Sequence, residues 1–179
     1  MEEKTFNIGK RPAIDFIKEK LGTGIVGAEI GVNKGHNALY ICNIIQPKIL
    51  YLIDPWNNFF DPGSGEIIGE TQYIATKKLL EPFSCCRFIK KTSYEANKEF
   101  TDTFFDFVYI DADHTYNAVL SDMVGWYPKV KKGGILSGHD FSIISIDKAV
   151  KLFCQKTRID KLYVQNNEDW WLKKECGGE

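Results

Sequence analysis

The chain has 179 residues and a net charge of -1, from 23 basic and 24 acidic side chains. That length suits one compact domain; about 150 residues already bury roughly 70% of their unfolded surface, so a core forms without staples. The even charge balance argues against the basic stripe of a nucleic-acid binder, and no apolar run reaches the ~18 residues of a membrane span.

The elements follow in chain order. Residues 11–21 read as a helix, with Ile14, Ile17 and Leu21 on one face and Pro12 in the first turn. Gly22-Thr23-Gly24 ends it, and residues 25–30 form a strand. Asn33 is the expected N-cap of a helix over 34–45. Ile49-Leu50-Tyr51-Leu52-Ile53 is the apolar run of a strand buried on both faces, stopped by Asp54-Pro55. Residues 56–69, rich in Gly, Asn, Asp and aromatics, read as a long loop with Asp61-Pro62-Gly63-Ser64-Gly65 at its mobile tip. Loops of that length in compact domains are usually functional. Trp56, Phe59, Phe60 and Tyr73 either line a pocket or pack in the core.

A helix over 70–80, a strand over 86–90, a helix over 94–100, a strand over 105–110, a helix over 118–127, a strand over 135–137 and a helix over 146–157 come next. Segments 162–165 and 170–173 flank the turn-rich Asn166-Asn167-Glu168-Asp169 and form a terminal hairpin. Strands alternating with helices specify a doubly wound α/β fold: a mostly parallel, Rossmann-like sheet of seven strands, helices on both faces, the last strand antiparallel. Met1-Glu2-Glu3-Lys4 lacks the apolar core of a secretory signal. The five cysteines, Cys42, Cys85, Cys86, Cys154 and Cys176, are odd in number and contain no Cys-x-x-Cys, so they read as free, mostly buried thiols in a reducing compartment. The expectation is a soluble, cytoplasmic protein with neither nucleic acid nor membrane as partner.

The chemistry gathers at strand ends, where open α/β sheets bind ligands. Glu29-Ile30-Gly31-Val32-Asn33-Lys34-Gly35 follows a strand and opens a helix. It is neither the Gly-x-Gly-x-x-Gly of dinucleotide binding nor a phosphate loop, since no Gly-Lys-Ser/Thr follows. An acid beside a glycine turn suits a cationic ligand group; the plain alternative is an ordinary strand-to-helix turn. Asp54 can accept the hydroxyls of a ribose or cap the turn before Pro55. Thr92 and Ser93 can cap a helix or meet a base edge. Asp111-Ala112-Asp113-His114 and Gly138-His139-Asp140 place acids and imidazoles at two further strand ends. His114 and His139 suit general-base chemistry, or a hydrogen bond to a neighbouring carboxylate. His36, in a first helix turn, reads as structural or cofactor-adjacent.

Taken together, Glu29-x-Gly31-x-x-x-Gly35, Asp54, Ser93 and Asp111-Ala112-Asp113-His114 resemble the class I S-adenosylmethionine-dependent methyltransferases. The stretch from Tyr109 through Phe141 is similar to a small bacterial subgroup of O-methyltransferases related to macrocin-type and, more distantly, caffeoyl-CoA-type enzymes. The resemblance covers residues 25–174. It implies one methyltransferase domain over 1–179, with residues 1–21 as a helical cap and 55–72 as a lid. It implies that Glu29, Gly31 and Gly35 hold the methionine part of the cofactor, that Asp54 holds the ribose, that Thr92 and Ser93 lie near adenine, and that Asp111 borders the cofactor.

In metal-dependent relatives, Mg²⁺ sits on acids at positions matching Asp111 and Asp140. Here His139 stands where some relatives carry an acid, and Phe141 replaces an Asn ligand. An imidazole among the ligands favours Mn²⁺, Fe²⁺ or Zn²⁺ over Mg²⁺. The implied acceptor is a hydroxyl of a small molecule (a sugar, a phenol or a natural product), in a pocket that a homodimer partner could help to build. Two other readings stand beside this one. One is a glycosyltransferase with metal on Asp111-x-Asp113; the other is a non-catalytic cofactor-binding domain. A nicotinamide dehydrogenase is disfavoured by the missing glycine pattern.

Overall fold

The computed structural model describes residues 10–61 and 65–175. Residues 1–9 of the expected cap, residues 62–64 of the Asp61–Gly65 tip, and Cys176 lie outside the described residues. In chain order the elements are α1 (Pro12–Leu21), β1 (Val26–Ile30), α2 (His36–Ile45), β2 (Ile49–Ile53), β3 (Phe59–Asp61), β4 (Glu66–Ile68), α3 (Glu70–Leu79), β5 (Cys86–Ile89), α4 (Ser93–Asn97), β6 (Phe105–Ile110), α5 (Tyr116–Trp126), β7 (Val130–Gly138), α6 (Ile144–Thr157), β8 (Tyr163–Gln165) and β9 (Asp169–Lys173).

Seven strands form one sheet in the order β5-β2-β1-β6-β7-β9-β8. The five strands from β5 to β7 are parallel, and β9 runs antiparallel to both β7 and β8. The last strand of the chain therefore lies inside the sheet, with β8 on its edge. Successive residues of a strand face opposite sides, so β6 feeds two cores. Val108 and Ile110 pack with Met123, Trp126, Val150 and Phe153 on one face. Phe107 and Tyr109 pack with Ile14, Ile41, Leu52 and Trp171 on the other. Truncating a buried aromatic such as Trp126 typically costs about 3–5 kcal/mol.

Two expectations are corrected, and one left open, the place of Trp56, is decided. The segment read as a loop over 56–69 contains a hairpin, in which Phe59 pairs with Ile68 and Phe60 with Ile67. Its Phe and Ile residues have strand propensity, and the turn residues between them hid the pattern. Asn33 does not cap α2. Gly35 does, in the left-handed conformation at φ 76, and the helix starts two residues later than expected. Trp56 is a core residue, 1% exposed, with its ring against Tyr73 at 4.9 Å. Phe59 and Phe60 stay exposed on the hairpin.

Candidate functional site

Hydrogen bonding carries the parallel ladder past the strand ends and lines up the candidate residues. Asp54 N–H donates to the carbonyl of Ile89, Gly31 to Ile53, Asp111 to Ile30 and His139 to Ile110. Thr92 and Ser93, Asp54, Glu29 with Gly31, Asp111 with His114, and His139 with Asp140 thus follow one another along the carboxyl edge in strand order. The structure thus lines up Thr92, Ser93, Asp54, Glu29, Gly31, Asp111, His114, His139 and Asp140 along this single edge, while Gly35 lies at the start of α2.

Gly31 is required there. Its φ is 84, and a Cβ would stand 2.1 Å from the carbonyl oxygen of Asp111. The β1 turn therefore touches the β6 turn through bare backbone. Gly35 is closely packed too: a Cβ on it would meet Thr76 Cγ2 at 2.6 Å, so it seats α2 against α3. Thr76 and Trp56 both donate to the carbonyl of Asn33, at 2.9 and 3.0 Å, which holds the loop from outside.

Glu29 is 1% exposed. Asn37 donates to its Oε1 at 3.2 Å, while Oε2 is buried with no hydrogen-bond partner among the described residues. Burial holds its carboxyl well above the usual carboxylate range, and Asp111 and Asp54 add to the effect. A buried acid with an orphaned oxygen and no full counter-charge fits a cationic ligand group, whose arrival would ionise it. The methionine end of S-adenosylmethionine, with its ammonium and sulfonium, is such a group.

Asp54 is 3% exposed. Its Oδ2 accepts from the amides of Val32 at 3.0 Å and Asn33 at 2.9 Å, and its Oδ1 from Trp56 at 2.8 Å. The carboxylate is thus first a brace for the glycine turn, and a carboxylate offers about four lone-pair positions, of which three are taken. Thr92 and Ser93 are similarly committed. Thr92 caps α4 in a reciprocal pair with Glu95, and Ser93 donates to Asp122 while accepting from Trp126 Nε1 at 2.8 Å.

Across the edge, His114 Nε2 lies 3.2 Å from Asp140 Oδ2 and 3.6 Å from Asp111 Oδ1. His139 Nδ1 lies 3.0 Å from Asp140 Oδ1. The carboxylate of Asp111, with that of Asp140 beside it, raises the His114 pKa above the ordinary imidazole value against the opposing effect of burial. At His139 burial pulls down, and the bond to Asp140 with the surrounding acids outweighs it. The hydrogen bond from His139 in turn lowers Asp140. Asp140 sits in the left-handed region at φ 57, a conformation uncommon for a residue other than glycine and concentrated at functional sites.

Donor atoms of Asp111, His139 and Asp140 all lie within 4.8 Å of one another. Two carboxylates and an imidazole fit a divalent cation, Mn²⁺ better than Mg²⁺. Asp113 is outside that group; its Oδ1 accepts from Thr115 N–H at 2.8 Å and shapes the entry to α5.

Two residues here were not singled out from the sequence. Asp169 is fully buried and accepts from Ala13 N–H at 2.8 Å and from the Tyr109 hydroxyl at 3.2 Å. It ties α1 to the sheet behind His139, whose Nε2 is 3.7 Å away. Its signal was an acid directly before Trp170-Trp171, hidden inside a run of turn residues. Arg11, just before α1, has a buried Nε without a partner among the described residues.

The strand order with β9 between β7 and β8, and an acid-glycine turn after β1, define a class I S-adenosylmethionine-dependent methyltransferase fold. The chain belongs to a methyltransferase-domain family, whose model matches residues 28–141. No curated protein matches it in sequence. Solved structures share the fold at low identity. The O-methyltransferase NovP is 15% identical, with a TM-score of 0.68 over 90% of this chain and 78% of its own. An rRNA methylase from Streptococcus thermophilus is 15% identical, with a TM-score of 0.67 over 93% of this chain and 98% of its own. The 1,6-didemethyltoxoflavin-N1-methyltransferase of Burkholderia thailandensis, with bound 1,6-didemethyltoxoflavin and S-adenosylhomocysteine, is 10% identical, with a TM-score of 0.62 over 92% of this chain and 77% of its own. No described helix is long and apolar enough to cross a membrane.

Proposed function

We propose that the chain transfers the methyl group of S-adenosylmethionine to a hydroxyl of a small molecule. The observation that carries this reading is the orphaned, buried Oε2 of Glu29 on the same sheet edge as the imidazole-carboxylate cluster of His114, His139, Asp111 and Asp140. The first suits the cationic donor, the second a proton-bearing acceptor.

Glu29 takes the positive methionine end, and the bare backbone at Gly31 lets the ligand lie close to the turn. Asp54 keeps that turn in shape and offers its remaining lone pair to a ribose hydroxyl. Adenine lies toward Thr92 and Ser93, met by backbone, since both side chains are already engaged. Methyl transfer from a sulfonium is an in-line displacement: the acceptor oxygen approaches the methyl carbon opposite sulfur, the new C–O bond forms as the C–S bond breaks, and S-adenosylhomocysteine leaves. Holding the two reactants in line can supply about 7–11 kcal/mol of the barrier.

The acceptor's proton goes to His114. Its ring is 43% exposed, against 18% for His139, and its Nε2 lies between two carboxylates that favour the imidazolium once formed. A divalent cation held by Asp111, Asp140 and His139 would lower the hydroxyl's own pKa. The crowd of acids favours a neutral or cationic acceptor over a phosphate backbone, as does the overall charge balance. In this reading α1, within the expected cap over 1–21, and strands β3 and β4, within the expected lid over 55–72, border the acceptor.

Calorimetric titration with S-adenosylmethionine, and separately with NAD and a UDP-sugar, tests the cofactor. Binding of the first alone is expected. Tight binding of NAD would return the site to a dehydrogenase, and UDP-sugar binding with metal to a glycosyltransferase. Assays with phenolic, sugar and RNA acceptors then separate the substrate classes.

A further inference from the structure

A second cluster of ligand-type side chains lies away from the carboxyl edge. Cys42 is in the last half of α2, and Cys85 and Cys86 lead into β5, the edge strand of the sheet. The sequence separates them by more than forty residues. The fold brings Cys42 Sγ to 3.7 Å from Cys86 Sγ and to 3.9 Å from Cys85 Sγ, with all three sulfurs within 4.8 Å of one another. Cys86 pairs in register with Leu50, at the start of β2. The cluster thus sits toward the amino ends of the strands, at the end of α2 opposite Gly35.

We infer that Cys42, Cys85 and Cys86 form a thiolate site for a thiophilic divalent cation of the zinc class, joining α2 to the edge strand β5. The geometry matches. A tetrahedral zinc with Zn–S bonds of about 2.3 Å places two sulfurs about 3.8 Å apart. A disulfide needs its sulfurs at about 2.05 Å, far closer than Cys42 stands to either Cys85 or Cys86. Sulfur ligands select zinc-like ions over Mg²⁺ or Ca²⁺. Cys42 is 2% exposed, while Cys85 and Cys86 are partly open, so the ion has an entry path and water can fill the fourth position.

Binding would release the three thiol protons to solvent and leave a net charge of -1 on the zinc and its three thiolates. The Arg87 side chain, which donates to the carbonyls of Ser84 and Cys86 at 2.8 and 2.9 Å, stands beside that charge.

The test uses the full chain under reductant, stripped of metal and titrated with Co²⁺, then with competing Zn²⁺. The expected result is one thiolate-bound Co²⁺ per chain, read from the thiolate-to-cobalt charge-transfer absorption and displaced by Zn²⁺, whatever Co²⁺ the acid-imidazole cluster also takes. Cys85→Ser and Cys86→Ser should each weaken that binding by at least about 100-fold, since residues that merely orient ligands are already worth roughly 10–100-fold. Cys154→Ser, on the opposite core, should leave it unchanged. So should Asp111→Asn, which separates this site from the acid-imidazole cluster. Because Cys42 is a core residue and its variant can fail to fold, the two partly exposed cysteines carry the test, with circular dichroism confirming their fold. A wild-type band lost in both serine variants supports the site; any other pattern overturns it. The outcome is independent of whether S-adenosylmethionine binds.

Discussion

The hydroxyl of Ser93 donates to the carboxylate of Asp122, joining the first turn of α4 to the middle of α5. Burial lifts the Asp122 carboxyl to about 6, with the Ser93 bond opposing. Its folded pKa lies above the unfolded value, so the stability it contributes is fully present below about pH 4 and is lost as pH rises through about 6. Asp122→Asn keeps an acceptor for Ser93 and removes the buried charge. It is expected to stabilise the protein at pH 7.5, by an upper bound of about 3 kcal/mol, and to have little effect at pH 4. Urea unfolding at the two pH values checks this; equal midpoints for the variant and the parent at pH 7.5 would count against it.

Glu29→Gln should show a trade between stability and binding. The neutral amide relieves a buried carboxyl whose ionisation burial opposes, so the ligand-free protein should melt higher at neutral pH. Affinity for S-adenosylmethionine should fall by about 10–100-fold, the worth of a charged hydrogen bond of roughly 1.5–3 kcal/mol. Thermal scans with and without the cofactor read both effects. Undiminished cofactor affinity would remove Glu29 from the methionine end.

Asp54→Ala leaves the amides of Val32, Asn33 and Trp56 without their acceptor. Each buried unsatisfied donor costs about 1–3 kcal/mol, and a total loss of roughly 2–4 kcal/mol is expected after partial relaxation. Cofactor binding should weaken by at least about 1 kcal/mol as the glycine turn loses its brace. Chemical denaturation and calorimetry measure the two; an unchanged affinity in a folded variant would confine Asp54 to the architecture.

His114→Ala should lower kcat by about 10²–10⁴, the usual worth of a general base, with cofactor affinity unchanged. Chelation probes the neighbouring donors. EDTA is expected to depress turnover and Mn²⁺ to restore it better than Mg²⁺, because one of the three donors is an imidazole. Full activity in EDTA would leave the imidazole alone to handle the proton.

The alternation of strands and helices was readable along the chain because each buried strand is a short apolar run and each helix repeats its apolar face every three to four residues. The hairpin at 59–68 was not, because three-residue strands give no period to detect. The strand-end residues were readable as a set, since each acid, glycine or histidine directly follows an apolar run. Their division of labour was not. Asp54 looked like a ribose ligand and proves first to be the acceptor for three amides. Gly35, expected in the ligand cradle, also seats α2 against Thr76, a contact no local pattern announces.

Sequence alone determined the class of fold and the edge on which the chemistry would gather, because both depend on local order: apolar run, turn, polar tip. Tertiary structure alone decided which groups meet. Asp169 reaches Ala13 and Tyr109 from the far end of the chain, the imidazoles of His114 and His139 converge on Asp140, and Cys42 on α2 finds Cys85 and Cys86 on the same face of the sheet. Such pairs are set by strand order and by which side of a strand a residue faces, and neither is written in the residues nearby.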